Sequence, residues 1–160
     1  MRLDDDMRRV VREQNLGFAA TVCPDGTPNL SPKGTTIVWD DEHLAFLDIH
    51  SPGTIANLAV NPSIEINVVD PIVRKGYRFK GHAEVLTSGE LHAEVLDHYR
   101  RERGTDTTRV RAVVLVRVDT AAPLVSPAYD SGTTEAEIVR RWRDHHLGLA
   151  AARLDADGPG

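Results

Sequence analysis

The sequence predicts an α+β fold: a six-stranded antiparallel β-barrel with short flanking helices. Three observations carry this. Turn signals join neighbouring apolar runs as hairpins rather than through regular strand–helix alternation. The runs themselves are short, β-branched and of period two, as in SIEINVVD (63–70). The helical segments are brief and amphipathic, suited to packing on the outside of a sheet.

Leu3, Met7, Val10 and Val11 recur at helical spacing, so a helix covers residues 3–14. A strand follows over Leu16 to Val22. Pro24-Asp25-Gly26 then turns the chain, with Pro at the second turn position and Gly where a positive φ is wanted, so the next segment, Pro28 to Trp39, returns antiparallel. Within it Pro32 cannot donate to a ladder, which places this strand at an edge or bulges it beside Lys33. Asp40, Asp41 and Glu42 turn into the strand Leu44 to Asp48. A short helix then runs from Ser51 to Asn61-Pro62, with Ser51 as N-cap and Pro52 at the first helical position. Strands are expected over 63–70 and 77–86. Thr87 with Glu90 reads as a capping box, opening a helix that ends near Gly104. A last strand covers Val110 to Val118. Thr134 with Glu137 repeats the capping pattern before a C-terminal helix whose face is Ile138, Val139 and Trp142. One domain is expected over 1–152, with a frayed tail over 153–160.

The chain has 160 residues, a formal charge of -5 and 41% hydrophobic residues. That balance is ordinary for a single globular domain and lacks the basic excess of nucleic-acid binders. Without a signal-peptide pattern or a run of roughly 20 apolar residues, a cytoplasmic protein with no membrane contact is expected. The single Cys23 excludes an internal disulfide. The seven histidines have no metal-ligand spacing. His145 and His146 are expected to point apart on their helix. No serine sits in a nucleophile elbow.

The segment LAFLDIHSPGTIANLAVNP (44–62) carries the first functional expectation. A helix that starts at a strand end, with small residues in its first turn, presents free amides and the positive end of its dipole, which is an anion site. Lys33, within Ser31-Pro32-Lys33-Gly34, is placed to bring a cation to the same anion. A bound phosphate follows, as part of a cofactor.

These motifs, in order, resemble the pyridoxamine 5'-phosphate oxidase-like family of FMN-binding split barrels. The resemblance rests on GFAATVCPDGTPNLSPKG, LAFLDIHSPGTIANLAVNP, SIEINVV and YRFKGHAEVL, and covers about Leu16 to Val118. It implies a homodimer with FMN at the subunit interface. Lys33, Gly34, Thr35 and Thr36 would lie along the flavin ring. His50, Ser51 and Thr54 would surround the phosphate, Asn57 would support the ribityl chain or phosphate, and Arg78 would face the cofactor from one side.

Two departures qualify the match. Many members carry Arg or Lys in the first turn of the short helix, where this chain has Gly53 and Thr54, so the cation must come from Lys33 or Arg78. The Arg and His substrate motif of true pyridoxamine phosphate oxidases is missing near the C-terminus. The implied activity is therefore an FMN-dependent oxidoreductase acting on a small molecule other than pyridoxamine phosphate, with a nicotinamide as electron donor. Two alternatives stand beside it: a reductase using the deazaflavin F420, and a non-catalytic barrel holding flavin or haem. Lys33→Ala and Thr54→Ala are each expected to weaken FMN binding by roughly 1 to 3 kcal/mol.

Overall fold

The computed structural model describes residues 1–156. Its elements are α1 (Asp5–Gln14), β1 (Gly17–Val22), β2 (Pro28–Lys33), β3 (Ile37–Val38), β4 (His43–Asp48), α2 (Pro52–Val60), β5 (Ser63–Asp70), β6 (Lys75–Leu86), α3 (Glu90–Arg103), β7 (Ala112–Val125) and α4 (Glu135–Ala156). One antiparallel sheet holds seven strands in the order β2-β1-β5-β6-β7-β4-β3. Six strands were expected. The extra one arises because the segment read as a single strand over Pro28 to Trp39 breaks at Gly34 and Thr35, sending β2 to one edge of the sheet and β3 to the other.

That break closes the barrel. From Lys33 to Ile37 is four Cα–Cα steps, a reach of at most about 15 Å, so the sheet must curl until its two edges nearly meet. Pro32 is tolerated because β2 is an edge strand, as the sequence implied. The expected bulge beside Lys33 is a turn instead. The ladder's register shift lies between Lys80 and Gly81, opposite Asp119, where Gly81 is required because a Cβ there would stand 1.9 Å from the Arg117 carbonyl oxygen.

Two apolar clusters follow from the curl. Inside the barrel, Phe46, Ile66, Val68, Phe79, Val114 and Val116 pack together, closed by Met7, Val10 and Val11 of α1 and Leu58 of α2. Outside it, Ala45, Leu47, Val113 and Leu115 pack under Val95 and Tyr99 of α3. β4 is buried on both faces for this reason, and its LAFL run does not alternate.

Several local expectations change. α3 begins at Glu90 with Gly89 as its N-cap, and no side chain caps it. Glu90 is the first helical residue rather than the third, so the Thr87 capping box does not form. The second capping box does form: Thr134 N donates to Glu137 Oε2 at 2.8 Å and Glu137 N to Thr134 Oγ1 at 3.4 Å. β7 runs to Val125, seven residues past the expected end, because β6 stays paired with it along its whole length. The expected tail is helical as far as Ala156, and its last residues, 157–160, lie outside those described. On α4 the His145 and His146 rings lie 5.5 Å apart instead of pointing away from each other. No helix among the described residues is long and apolar enough to cross a membrane.

Candidate functional site

Lys33 ends β2 and is buried at the barrel rim, its ammonium 5.5 Å from the centroid of the Phe46 ring. A lysine so placed needs acceptors. Its Nζ donates to Ser31 Oγ at 2.7 Å and Ser51 Oγ at 2.5 Å. Burial pushes its pKa down, and the nearby Asp48 carboxylate opposes that shift. Asp48, itself buried, accepts from Ser51 N at 2.8 Å and so fixes the turn that starts α2.

Ser51 stands at the N-cap position as expected, but its hydroxyl makes no capping bond, because it serves Lys33. Pro52 has no N–H, and the first amide of α2 to find a backbone carbonyl is that of Ile55. The amides of Gly53 and Thr54 are thereby left as donors beside a buried ammonium and two hydroxyls. This donor set suits a phosphate monoester. FMN fits it by charge, and Lys33, Ser31, Ser51 and the α2 amides are the groups that would hold it.

The remaining expected site residues divide. His50 is exposed beside Ser51. Thr54 is buried, and its hydroxyl accepts from Asn29 Nδ2 at 3.4 Å. Asn57 is buried too, donating to Thr21 Oγ1 at 3.0 Å and to Cys23 Sγ at 3.5 Å, so it ties α2 to β1. Arg78 is not brought to this cluster within one chain. It lies in register with Asn67, which faces Phe18, which faces Pro32, three strand spacings or about 14 Å away. Its guanidinium pairs with Glu65 at 2.8 Å.

Gly34, Thr35 and Thr36 form the turn between the sheet edges. Thr36 is buried and donates from Oγ1 to the Lys33 carbonyl at 2.8 Å. Thr35 Oγ1 accepts from Leu47 N at 2.9 Å, and the Thr35 carbonyl accepts from Tyr99 Oη at 2.6 Å. These side chains stand in for the ladder, which is why β3 starts only at Ile37. Gly34 is exposed, and a Cβ added there would meet nothing within 4 Å, so the turn borders open space.

Behind the turn lies a groove of about 670 Å³ between α1, β3 and α3. Arg12, Trp39, His98 and Arg103 line it together with the carboxylates Asp40 and Glu102, with Trp39 and His98 edge to face at 5.7 Å. Arg103 Nη2 reaches the Gly34 carbonyl at 3.4 Å, while its Nη1 is buried and has no partner among the described residues. Arg8, also in the lining, is paired with Asp41 at 2.7 Å, whereas Arg12 has no ion-pair partner among the described residues. Nη1 is thus a buried donor that lacks an acceptor among the described residues.

Sequence reasoning missed Asp48, Tyr99 and Arg103 as site residues. Asp48 read as the polar end of a strand, and Tyr99 as the buried face of a helix. Arg103 carried no site signal of its own. Their contacts with the turn span up to 69 positions, which no local pattern encodes.

Comparison with known proteins bears on the family and the fold. The family model described as pyridoxamine 5'-phosphate oxidase matches residues 3–122. Among solved structures, HupZ of Group A Streptococcus is 31% identical, with a TM-score of 0.68 over 78% of this chain and 95% of that one. The heme storage protein HutZ of Vibrio cholerae is 22% identical, with a TM-score of 0.62 over 78% of this chain and 95% of its own. An FMN-binding protein of Syntrophomonas wolfei is 14% identical, with a TM-score of 0.62 over 75% of this chain and 84% of its own. The last two share the fold. The search of curated proteins found no match.

Proposed function

The chain belongs to the pyridoxamine 5'-phosphate oxidase family, and we propose that within it the protein is an FMN-dependent oxidoreductase acting on a small organic anion. The observation that carries this reading is the donor set at the start of α2: a buried Lys33 ammonium, two hydroxyls on it, and helix amides left without a side-chain cap. Bound FMN supplies the electron chemistry. The protein's own residues bind and orient. Lys33 and the α2 amides hold the phosphate, and the Lys33–Thr36 turn lies along the ring. The groove takes the substrate's anionic group beside the exposed Arg12, with Trp39 as an apolar wall. The Arg and His motif of pyridoxamine phosphate oxidases is missing from the C-terminal region, so the reading is of another substrate, with a reduced nicotinamide as donor.

A homodimer completes the proposal. Phe18 and Leu30 are exposed on the outer face of β1 and β2, Leu30 at 65%, and Val22 and Pro32 extend the same apolar face. A second copy is the occupant we assign to it, and across that interface the partner's Arg78 becomes available to the cofactor.

The deciding experiment is to denature the purified protein, identify the released ligand by mass and record the visible spectrum beforehand. Flavin bands with released FMN support the proposal. A deazaflavin, or a Soret band with released haem, overturns it. For the dimer, Leu30→Glu is expected to yield a monomer by size-exclusion chromatography and to lose FMN. A dimer that keeps its flavin would refute the assigned face.

A further inference from the structure

Every carbonyl along the Lys33–Thr35 stretch is held from behind. The Lys33 carbonyl accepts from Thr36 Oγ1 at 2.8 Å and from Thr36 N at 3.3 Å. The Gly34 carbonyl accepts from Arg103 Nη2 at 3.4 Å, a longer contact, and the Thr35 carbonyl from Tyr99 Oη at 2.6 Å. A trans peptide is planar, with its C=O and N–H on opposite edges. Holding the carbonyls of Lys33 and Gly34 therefore turns the amides of Gly34 and Thr35 the other way. Neither amide donates a hydrogen bond among the described residues.

Tyr99 sets this arrangement. It is fully buried under the outer cluster, and burial raises its phenol well above the ordinary range, so the hydroxyl stays a donor. By gripping the Thr35 carbonyl it fixes the peptide that joins Thr35 to Thr36, and from that position Thr36 donates twice to Lys33. Arg103, one helical turn further along α3, holds the Gly34 carbonyl with one nitrogen, while the other is buried without a partner among the described residues.

We propose that Tyr99 and Arg103 are positioning residues that keep the Lys33–Thr36 turn presenting two backbone N–H donors, and that they thereby favour the reduced, more negative state of a flavin bound along it. The inference rests on the flavin reading above. Fixed donors aimed where negative charge develops stabilise that charge without reorganisation. A flavin gains electron density on reduction, so the same donors raise its potential.

The test is the midpoint potential of FMN bound to the full-length protein, with thermal unfolding and near-ultraviolet circular dichroism as checks on the fold. Tyr99→Phe keeps the ring and removes the hydroxyl. It is expected to lower the preference for reduced over oxidised FMN about tenfold, which for a two-electron couple is a fall of about 30 mV. Affinity for oxidised FMN should change less than about threefold. Arg103→Lys should shift the potential in the same direction by less, and it carries the test by itself if the tyrosine variant does not fold. Gly34→Ala, whose Cβ has open space, should fold normally and lose FMN more than tenfold. Potentials equal to the parent's in variants that still bind FMN would overturn the inference and leave the flavin reading standing. Failure of the parent protein to bind FMN would remove both.

Discussion

Lys33 and Arg103 approach the same short turn from opposite sides, and they differ in how completely they are satisfied. Lys33 comes from within the turn's own strand, with two hydroxyls on its ammonium and the Asp48 carboxylate close enough to act on it. Arg103 comes from α3, holds one carbonyl at long distance and keeps a buried nitrogen without a partner. The first is a buried cation satisfied by side chains of its own chain. The second is a cation satisfied only in part among the described residues. Under the proposed function, the first would meet the cofactor's phosphate and the second would border the substrate groove.

The largest effect that would break this comparison is expected from Lys33→Ala. Removing the charged donor should weaken FMN binding by roughly 1 to 3 kcal/mol, measured by fluorescence quenching on titration. An unchanged affinity would mean the phosphate lies elsewhere.

A pH titration sharpens the same point. The folded chain lowers the Lys33 pKa below its ordinary 10.5, so between the lowered value and 10.5 the unfolded chain binds more protons. Stability of the ligand-free protein should therefore rise with pH through that window. Phosphate binding needs the ammonium, so FMN affinity should fall across the same window. Opposite slopes in thermal unfolding and FMN titration are the expected result, and parallel slopes would remove Lys33 from the cradle.

Thr54→Ala is expected to do less than the sequence implied. Its hydroxyl already accepts from Asn29 and is buried. Stability should fall by about 0.5 to 1.5 kcal/mol, while FMN affinity changes by less than about 0.5 kcal/mol. A loss of affinity as large as that of Lys33→Ala would return Thr54 to the phosphate.

The smallest effect is expected at a control far from the turn. Tyr77 Oη donates to Asp6 Oδ2 at 2.6 Å, which pushes the phenol up to about 12 and holds the carboxyl below its usual range. In Asp6→Asn the phenol should ionise at lower pH, read by absorbance near the phenolate band, with FMN binding untouched. The Tyr77 contribution to stability is present below pH 10 and is lost as pH rises through about 12.

Much of the fold was legible because its signals are local. Pro24-Asp25-Gly26 set the first hairpin, and Gly26 has the positive φ of 84° that the turn signal implied. Thr134 and Glu137 capped α4 as their spacing suggested. The misreadings share another cause. Pro28 to Trp39 read as one strand because the Pro24-Asp25-Gly26 turn signal implied an antiparallel return, and nothing within it says that its halves pair with different partners. Thr87 and Glu90 had capping spacing, but the helix start was set by Gly89.

The candidate site divides in the same way. Ser51, Pro52 and Lys33 could be named from the chain because helix starts and lysines beside small residues are local patterns. That Ser51 serves Lys33 rather than its own helix could not, since the bond spans 18 positions.

By itself, then, the sequence determined the antiparallel hairpins, the short helix that starts at Ser51 and Pro52, and a lysine set among small residues, because each is written in a few neighbouring residues. Only the tertiary structure decided that the sheet closes through the Lys33–Thr36 turn, that Thr54 and Asn57 face inward, and that Tyr99 and Arg103 hold the turn from α3. Those outcomes depend on which distant surfaces come to share a core, and burial is a property of the whole chain.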